Sequence, residues 1–178
     1  MIKKVLDYIM FSRNPVKYAR RKGVKVGEGC RLLTNNFGTE PYLITLGNHV
    51  SVSGGTSFIT HEGAQWVLKG LDKDKYENTF GYGKITICDN CYIGERVTIL
   101  RGVTIGENTI VGAGAVVTKN CEANSVYAGV PAKRICSLEE WARKFLLSMP
   151  EVDITRYKEN KKEEIERMYC IDSEVKNK

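Results

Sequence analysis

The chain has 178 residues, 42% of them apolar, which suits one domain with a core and short appendages and excludes a disordered chain. No segment reads as long and apolar enough to span a bilayer. A net charge of +6 and a pI near 9.0 point to an anionic partner without saying which, since nucleic acid, a phosphorylated cofactor and an anionic membrane face all fit.

Met1–Phe11 begins with two lysines and an apolar run that Asp7 interrupts, with no small-residue cleavage site after it. It reads as an amphipathic terminal helix, with Val5, Leu6, Ile9 and Met10 on one side, packed on the fold in preference to a membrane. Asn14-Pro15 caps and starts a second helix that runs to Lys22-Gly23. Arg13, Lys17, Arg20, Arg21, Lys22 and Lys25 crowd this stretch. With no interleaved aromatic beyond Tyr18, a nucleic-acid interface is disfavoured; peripheral membrane association stays open.

A repeat then dominates the chain. From Ile87 a β-branched aliphatic recurs every six positions: Ile87, Ile93, Ile99, Ile105, Val111 and Val117. Four residues after each comes a compact side chain: Cys91, Val97, Val103, Thr109, Ala115 and Cys121. Turn formers such as Asp89-Asn90 and Gly106-Glu107-Asn108 lie between them. A helix would show spacings of three and four, and a simple strand an alternation of two. The spacing predicts a coil of short parallel strands, large aliphatics filling the interior and small residues its corners. The pattern also runs upstream at Val26–Leu32 and Leu46–Phe58, broken at Phe37–Leu43 and again from about Gly63 to Tyr82. Long departures from a regular coil are where function usually sits.

The six cysteines carry no secretion signal with them, and Cys88-x-x-Cys91 lacks a second pair at zinc spacing. Cys91 and Cys121 occupy the small inward slot and read as packing. Near the end, Ser137-Leu138-Glu139-Glu140 is a capping box for a helix to about Ser148, and Glu151–Cys170 reads as one more charged helix.

The repeat, together with Ala128-Gly129-Val130-Pro131-Ala132-Lys133, resembles the hexapeptide-repeat acyltransferases over roughly Val24–Ile135. Phe37–Tyr42 and Thr60–Gly63 are similar to the branch that O-acetylates capsule, lipopolysaccharide and exopolysaccharide sugars. The resemblance implies a mainly β fold, a left-handed parallel β-helix with short N-terminal and C-terminal helices. The expected division is 1–23 helical, 24–136 β-helix with an excursion at 63–82, and 137–178 helical. The resemblance further implies a cytoplasmic homotrimer in polysaccharide biosynthesis, acetyl-CoA as donor between subunits, no required metal, and a saccharide or nucleotide-sugar acceptor.

Transfer from a thioester to a hydroxyl needs a base that works near neutral pH. Only His49 and His61 are available, and His61 stands where the coil gives way to the excursion, the place of the family's catalytic histidine. His49 lies two hexads earlier, on a different face, and reads as a turn residue. Glu62 is a candidate to orient the imidazole or contact the acceptor; Glu40, Trp66 and Tyr82 are acceptor-side candidates. The resemblance puts the pantetheine arm near Glu95 and Ala113 and the nucleotide end near Thr118, Lys119 and Lys133. Glu95 and Ala113 are eighteen residues apart, so they should stack at one corner. Direct transfer without an acyl-enzyme is the expected mechanism, with coil N–H groups available to the oxyanion. A zinc enzyme on the same coil would need about three histidines. An N-acetyltransferase acting on an amino-sugar nucleotide or an antibiotic, and a non-catalytic scaffold, are the alternatives that remain.

Overall fold

Strands of two or three residues cannot satisfy their own backbone groups, so each must pair with a strand one turn of the coil away. In the computed structural model, which describes residues 2–170, they do so in three parallel sheets. Strands are numbered in chain order. The first sheet joins β1 (Lys25–Val26), β3 (Ile44–Leu46), β8 (Ile85–Ile87) and β11 (Thr104–Ile105). The second joins β2 (Arg31–Leu32), β4 (Ser51–Val52), β9 (Tyr92–Ile93), β12 (Ile110–Val111) and β14 (Ser125–Ala128), and β15 (Lys133–Ser137) closes it antiparallel. The third holds β5 (Ser57–Ile59), β10 (Thr98–Leu100) and β13 (Val116–Val117).

From β8 on, the chain visits the three sheets in turn. Thr86 pairs with Thr104, Tyr92 with Ile110 and Thr98 with Val116, each eighteen residues on. This is a three-sided coil of three hexads per turn. The predicted inward positions form its core: every aliphatic from Ile87 to Val117 and every small residue from Cys91 to Cys121 is at most 5% exposed. The small position has a second task, because its polar members satisfy corner carbonyls. The Cys91 thiol donates to Gly106 O at 3.1 Å and the Thr109 hydroxyl to Glu122 O at 3.0 Å. Burial pushes both the Cys91 and Cys121 thiols up to about 11, which keeps them protonated.

At the corner between the first and second sheets, His49, Asn90, Asn108 and Asn124 all adopt φ near +55°, a conformation Asn tolerates better than most side chains. Their side chains hydrogen-bond in a ladder at 2.7, 2.7 and 2.9 Å. His49 is the lowest rung, which agrees with its reading as a turn residue.

Helices α1 (Ile2–Arg13) and α2 (Pro15–Lys22) close the open first turn. Asn14 caps α2 by accepting from Lys17 N, and Gly23 ends it at φ +107°. Tyr18 and Ala19 are buried in the cluster that holds Val24, Phe37 and Phe58. Arg20 reaches back to the edge carbonyls of Val26 and Gly27 at 2.8 and 2.9 Å. The expected apolar side of Val5 and Leu6 lies outside the described side chains.

Residues from Glu140 on form a separate unit. Helix α5 spans Leu138–Ser148. The single charged helix expected over 151–170 is instead two, α6 (Ile154–Glu159) and α7 (Lys161–Met168), because the Asn160 side chain turns to cap α7 by accepting from Glu163 N. Buried Glu164 joins them, taking two hydrogen bonds from Arg167 and one from Asp153 N. Residues 171–178 of the expected C-terminal segment lie outside the described residues. Among the described residues no helix is long and apolar enough to cross a membrane.

Ile99→Ala, in the middle of the inward column, should cost about 2–5 kcal/mol of stability, measured by urea unfolding. Gly94→Val should be tolerated worse than a typical surface change, because a Cβ there would sit 2.5 Å from Ala113 N in the next turn.

Candidate active site

The third sheet leads into the excursion. Strand β5 ends at Ile59, Thr60 is buried, and Gly83 N donates to Thr60 O at 2.9 Å, pinching the excursion at its root. Beyond the pinch, β6 (His61–Glu62) and β7 (Gly81–Tyr82) pair antiparallel, His61 opposite Tyr82. Helices α3 (Gln65–Leu71) and α4 (Lys73–Tyr76) fill the distance between them.

The loop before β3 comes alongside. Gly38 has φ +66°, and a Cβ there would lie 2.7 Å from Phe58 O, so this approach needs glycine. It delivers Glu40 to His61: Oε2 stands 2.9 Å from the imidazole Nδ1. The same oxygen accepts from the Thr60 hydroxyl at 2.6 Å, and the Thr39 hydroxyl is 3.2 Å from Nδ1. The hydrogen bond from Thr60, and then those from His61 and Thr39, outweigh desolvation and bring the Glu40 carboxyl down to about 2. A carboxylate at Nδ1 favours the tautomer that carries its proton on that nitrogen. The imidazole is 43% exposed, while the Glu40 side chain is only 13% exposed.

Glu62 does not share this role. Neighbouring strand residues point to opposite sides, and its carboxylate is held by Arg101 at 2.8 and 3.2 Å instead. The Tyr82 ring lies 5.8 Å from the His61 ring, and Phe80 stacks on Tyr82 at 6.2 Å and 20°. Trp66 is 84% exposed on α3, outside that stack.

The other candidates sit on either side of the third sheet. Glu95 and Ala113 occupy the corner that enters it and are stacked as their spacing requires, with Gly114 N donating to Glu95 O at 2.8 Å. Thr118 and Lys119 follow β13. Lys133 opens β15, next to Ala132, whose N–H donates to Val116 O. All five of these residues are exposed.

A family model described as bacterial transferase hexapeptide (six repeats) matches residues 84–119. Protein CapG of Staphylococcus aureus is 42% identical over 145 residues, 80% of this chain and 82% of that protein. This chain belongs to the hexapeptide-repeat acyltransferases. The galactoside O-acetyltransferase of Escherichia coli (strain K12) is 30% identical over 127 residues, 71% of the chain and 60% of that enzyme. The crystal structure of a hexapeptide-repeat containing acetyltransferase from Vibrio cholerae superposes with a TM-score of 0.51 at 26% identity, over 65% of this chain and 63% of that one. The chain thus spans less than two thirds of these last two.

For an acyltransferase the useful grouping is His61, Glu40 and Thr60. The sequence flags His61 and Glu40 but gives them separate tasks, and it offers no sign that Thr60 matters beyond its place before His61. Arg101 is likewise missing from the sequence reading, since it meets Glu62 only through the fold of the excursion on the coil.

Thr60→Val removes the hydroxyl that contributes most to the low Glu40 titration. In a carboxyl-carbon NMR titration, wild-type Glu40 should remain ionised down to about pH 2, and the variant's midpoint should rise toward the ordinary 4.5. The ionised clasp would then be lost from a higher pH as acid is added. An unchanged midpoint would show that Thr60 does not hold the carboxylate.

Proposed function

We propose that this acyltransferase moves an acetyl group from acetyl-CoA to a saccharide hydroxyl, with His61 as general base and Glu40 as the residue that orients it. The clasp of Nδ1 by an ionised Glu40 carries the reading, because it gives His61 the tautomer that can accept a proton at Nε2. Nε2 takes the proton as the acceptor oxygen attacks the thioester carbonyl, the C–O bond forms, the C–S bond breaks, and the proton passes on to the leaving thiolate. Backbone N–H groups of the coil are available to the developing oxyanion. No acyl-enzyme is involved, which fits buried cysteines that stay protonated.

Acetyl-CoA supplies the activated acyl group. We assign its pantetheine arm to the small-residue corner of Glu95 and Ala113, and its phosphates to Thr118, Lys119 and Lys133. Glu95 is drawn toward Arg96 at 3.7 Å, which leaves that corner less acidic than its sequence suggests. The saccharide acceptor is supported by the galactoside O-acetyltransferase among the relatives and by the parallel Tyr82–Phe80 rings beside the base. We also assign Glu62 to the acceptor side through its pair with Arg101, and Trp66 to the outer rim.

The same reading takes the coil as a left-handed β-helix, residues 24–136, that assembles as a homotrimer with the donor lying between subunits. We place the enzyme in the cytoplasm, where its six unpaired thiols stay reduced and surface-polysaccharide precursors are made.

Thiol release from acetyl-CoA across a panel of galactosides, oligosaccharides and nucleotide sugars tests this. His61→Ala should lower kcat by about 10²–10⁴-fold. Glu40→Gln should lower kcat less and leave the KM for acetyl-CoA unchanged. Full activity of His61→Ala would refute the mechanism.

A further inference from the structure

The net charge of this chain has an address. Residues 1–30 contain eight of the 27 Lys and Arg and two of the 21 acids, a net +6. The remaining 148 residues hold nineteen of each and are neutral. The whole positive charge therefore belongs to the helical cap on the first turn of the coil.

Both acids of this segment are engaged, Asp7 with Lys22 at 2.7 Å and Glu28 with Arg20 at 2.8 Å. Of the other six cations, Arg13, Lys17, Arg21 and Lys25 are exposed. On α2, Lys17 and Arg21 are one turn apart, on the side away from buried Tyr18 and Ala19. Arg21 folds over α1 with its guanidinium 3.8 Å from the Met10 sulfur, so the basic side continues onto the first helix.

Helix α1 brings apolar character to this basic end. Seven of the ten residues from Ile2 to Phe11 are apolar or aromatic. Met10 and Phe11 pack against the core, but Ile9 is 40% exposed. A nucleic-acid site is built from cations and polar or stacking side chains. Cations beside an exposed apolar side chain such as Ile9 are the composition of an interfacial surface.

We propose that the α1–α2 cap is a docking surface for an anionic phospholipid membrane. Arg13, Lys17, Arg21 and Lys25 meet the headgroups, and Ile9 meets the boundary of the acyl region. Binding of this kind is reversible, depends on the anionic lipid fraction and falls with salt. It is independent of the catalytic reading, since none of these residues belongs to the candidate active site.

The full-length protein should co-sediment with vesicles of 70% phosphatidylcholine and 30% phosphatidylglycerol, but not with pure phosphatidylcholine, and should be released at high salt. Each basic side chain near an anionic leaflet strengthens binding about fivefold, so Arg13→Ala/Lys17→Ala/Arg21→Ala should bind roughly a hundredfold more weakly. Arg143→Glu/Lys144→Glu, in the neutral remainder of the chain, should bind as wild type. Thermal melting of each variant checks the fold, and the lipid and salt series on the wild type needs no variant. Equal binding to both vesicle types, an equal effect of the Arg143/Lys144 pair, or tighter binding to duplex DNA than to the anionic vesicles at the same salt would overturn the proposal.

Discussion

The rest of this molecule depends on the register of its regular turn: between β8 and β13 the strands that meet are eighteen residues apart, so that the same two positions of every hexad turn inward. An interior this narrow admits one large aliphatic and one compact residue per side. That is why isoleucine and valine repeat without slippage from Ile87 to Val117, and why Cys, Thr and Ala share the other slot. The same register lines up the turns, so each corner becomes a vertical column. One column is a ladder of amides, and another stacks Glu95 on Ala113.

The candidate site enters where the register is interrupted without being lost. Before the excursion, Thr45, Ser51 and Ser57 pair with Thr86, Tyr92 and Thr98, each 41 residues on. The offset is identical on all three sheets, so the coil resumes in phase after a 23-residue surplus. His61 and Tyr82 flank that surplus as partners in a ribbon, and Glu40 reaches them from the earlier break near Phe37–Leu43. Two departures from the repeat, twenty residues apart in sequence, thus converge on one imidazole.

The sequence made the coil legible because hexads are local: each repeat announces itself without reference to any other. It also made His61 legible, through scarcity and position. The partnership of Glu40 with His61 was not legible, because it depends on how a loop crosses the end of β5, and nothing in the spacing encodes that crossing. Glu62 is adjacent to His61, but strand alternation already counts against direct help from it in the sequence, and its carboxylate pairs with Arg101. The break at Asn160 was hidden for a different reason. Its flanks are strong helix formers, and the break rests on the Asn160 cap together with buried Glu164, which ties Asp153 N to Arg167.

An insertion that returns the chain to phase has a consequence for how such proteins diversify. The 41-residue offset means that the strands above and below the excursion cannot sense its length or sequence, provided its two ends stay joined at Thr60 and Gly83. What lies between them is a cassette. It can be exchanged, lengthened or given another aromatic surface on the same scaffold, so the surface beside His61 and the folding stability of the coil draw on separate parts of the chain and can be altered one at a time.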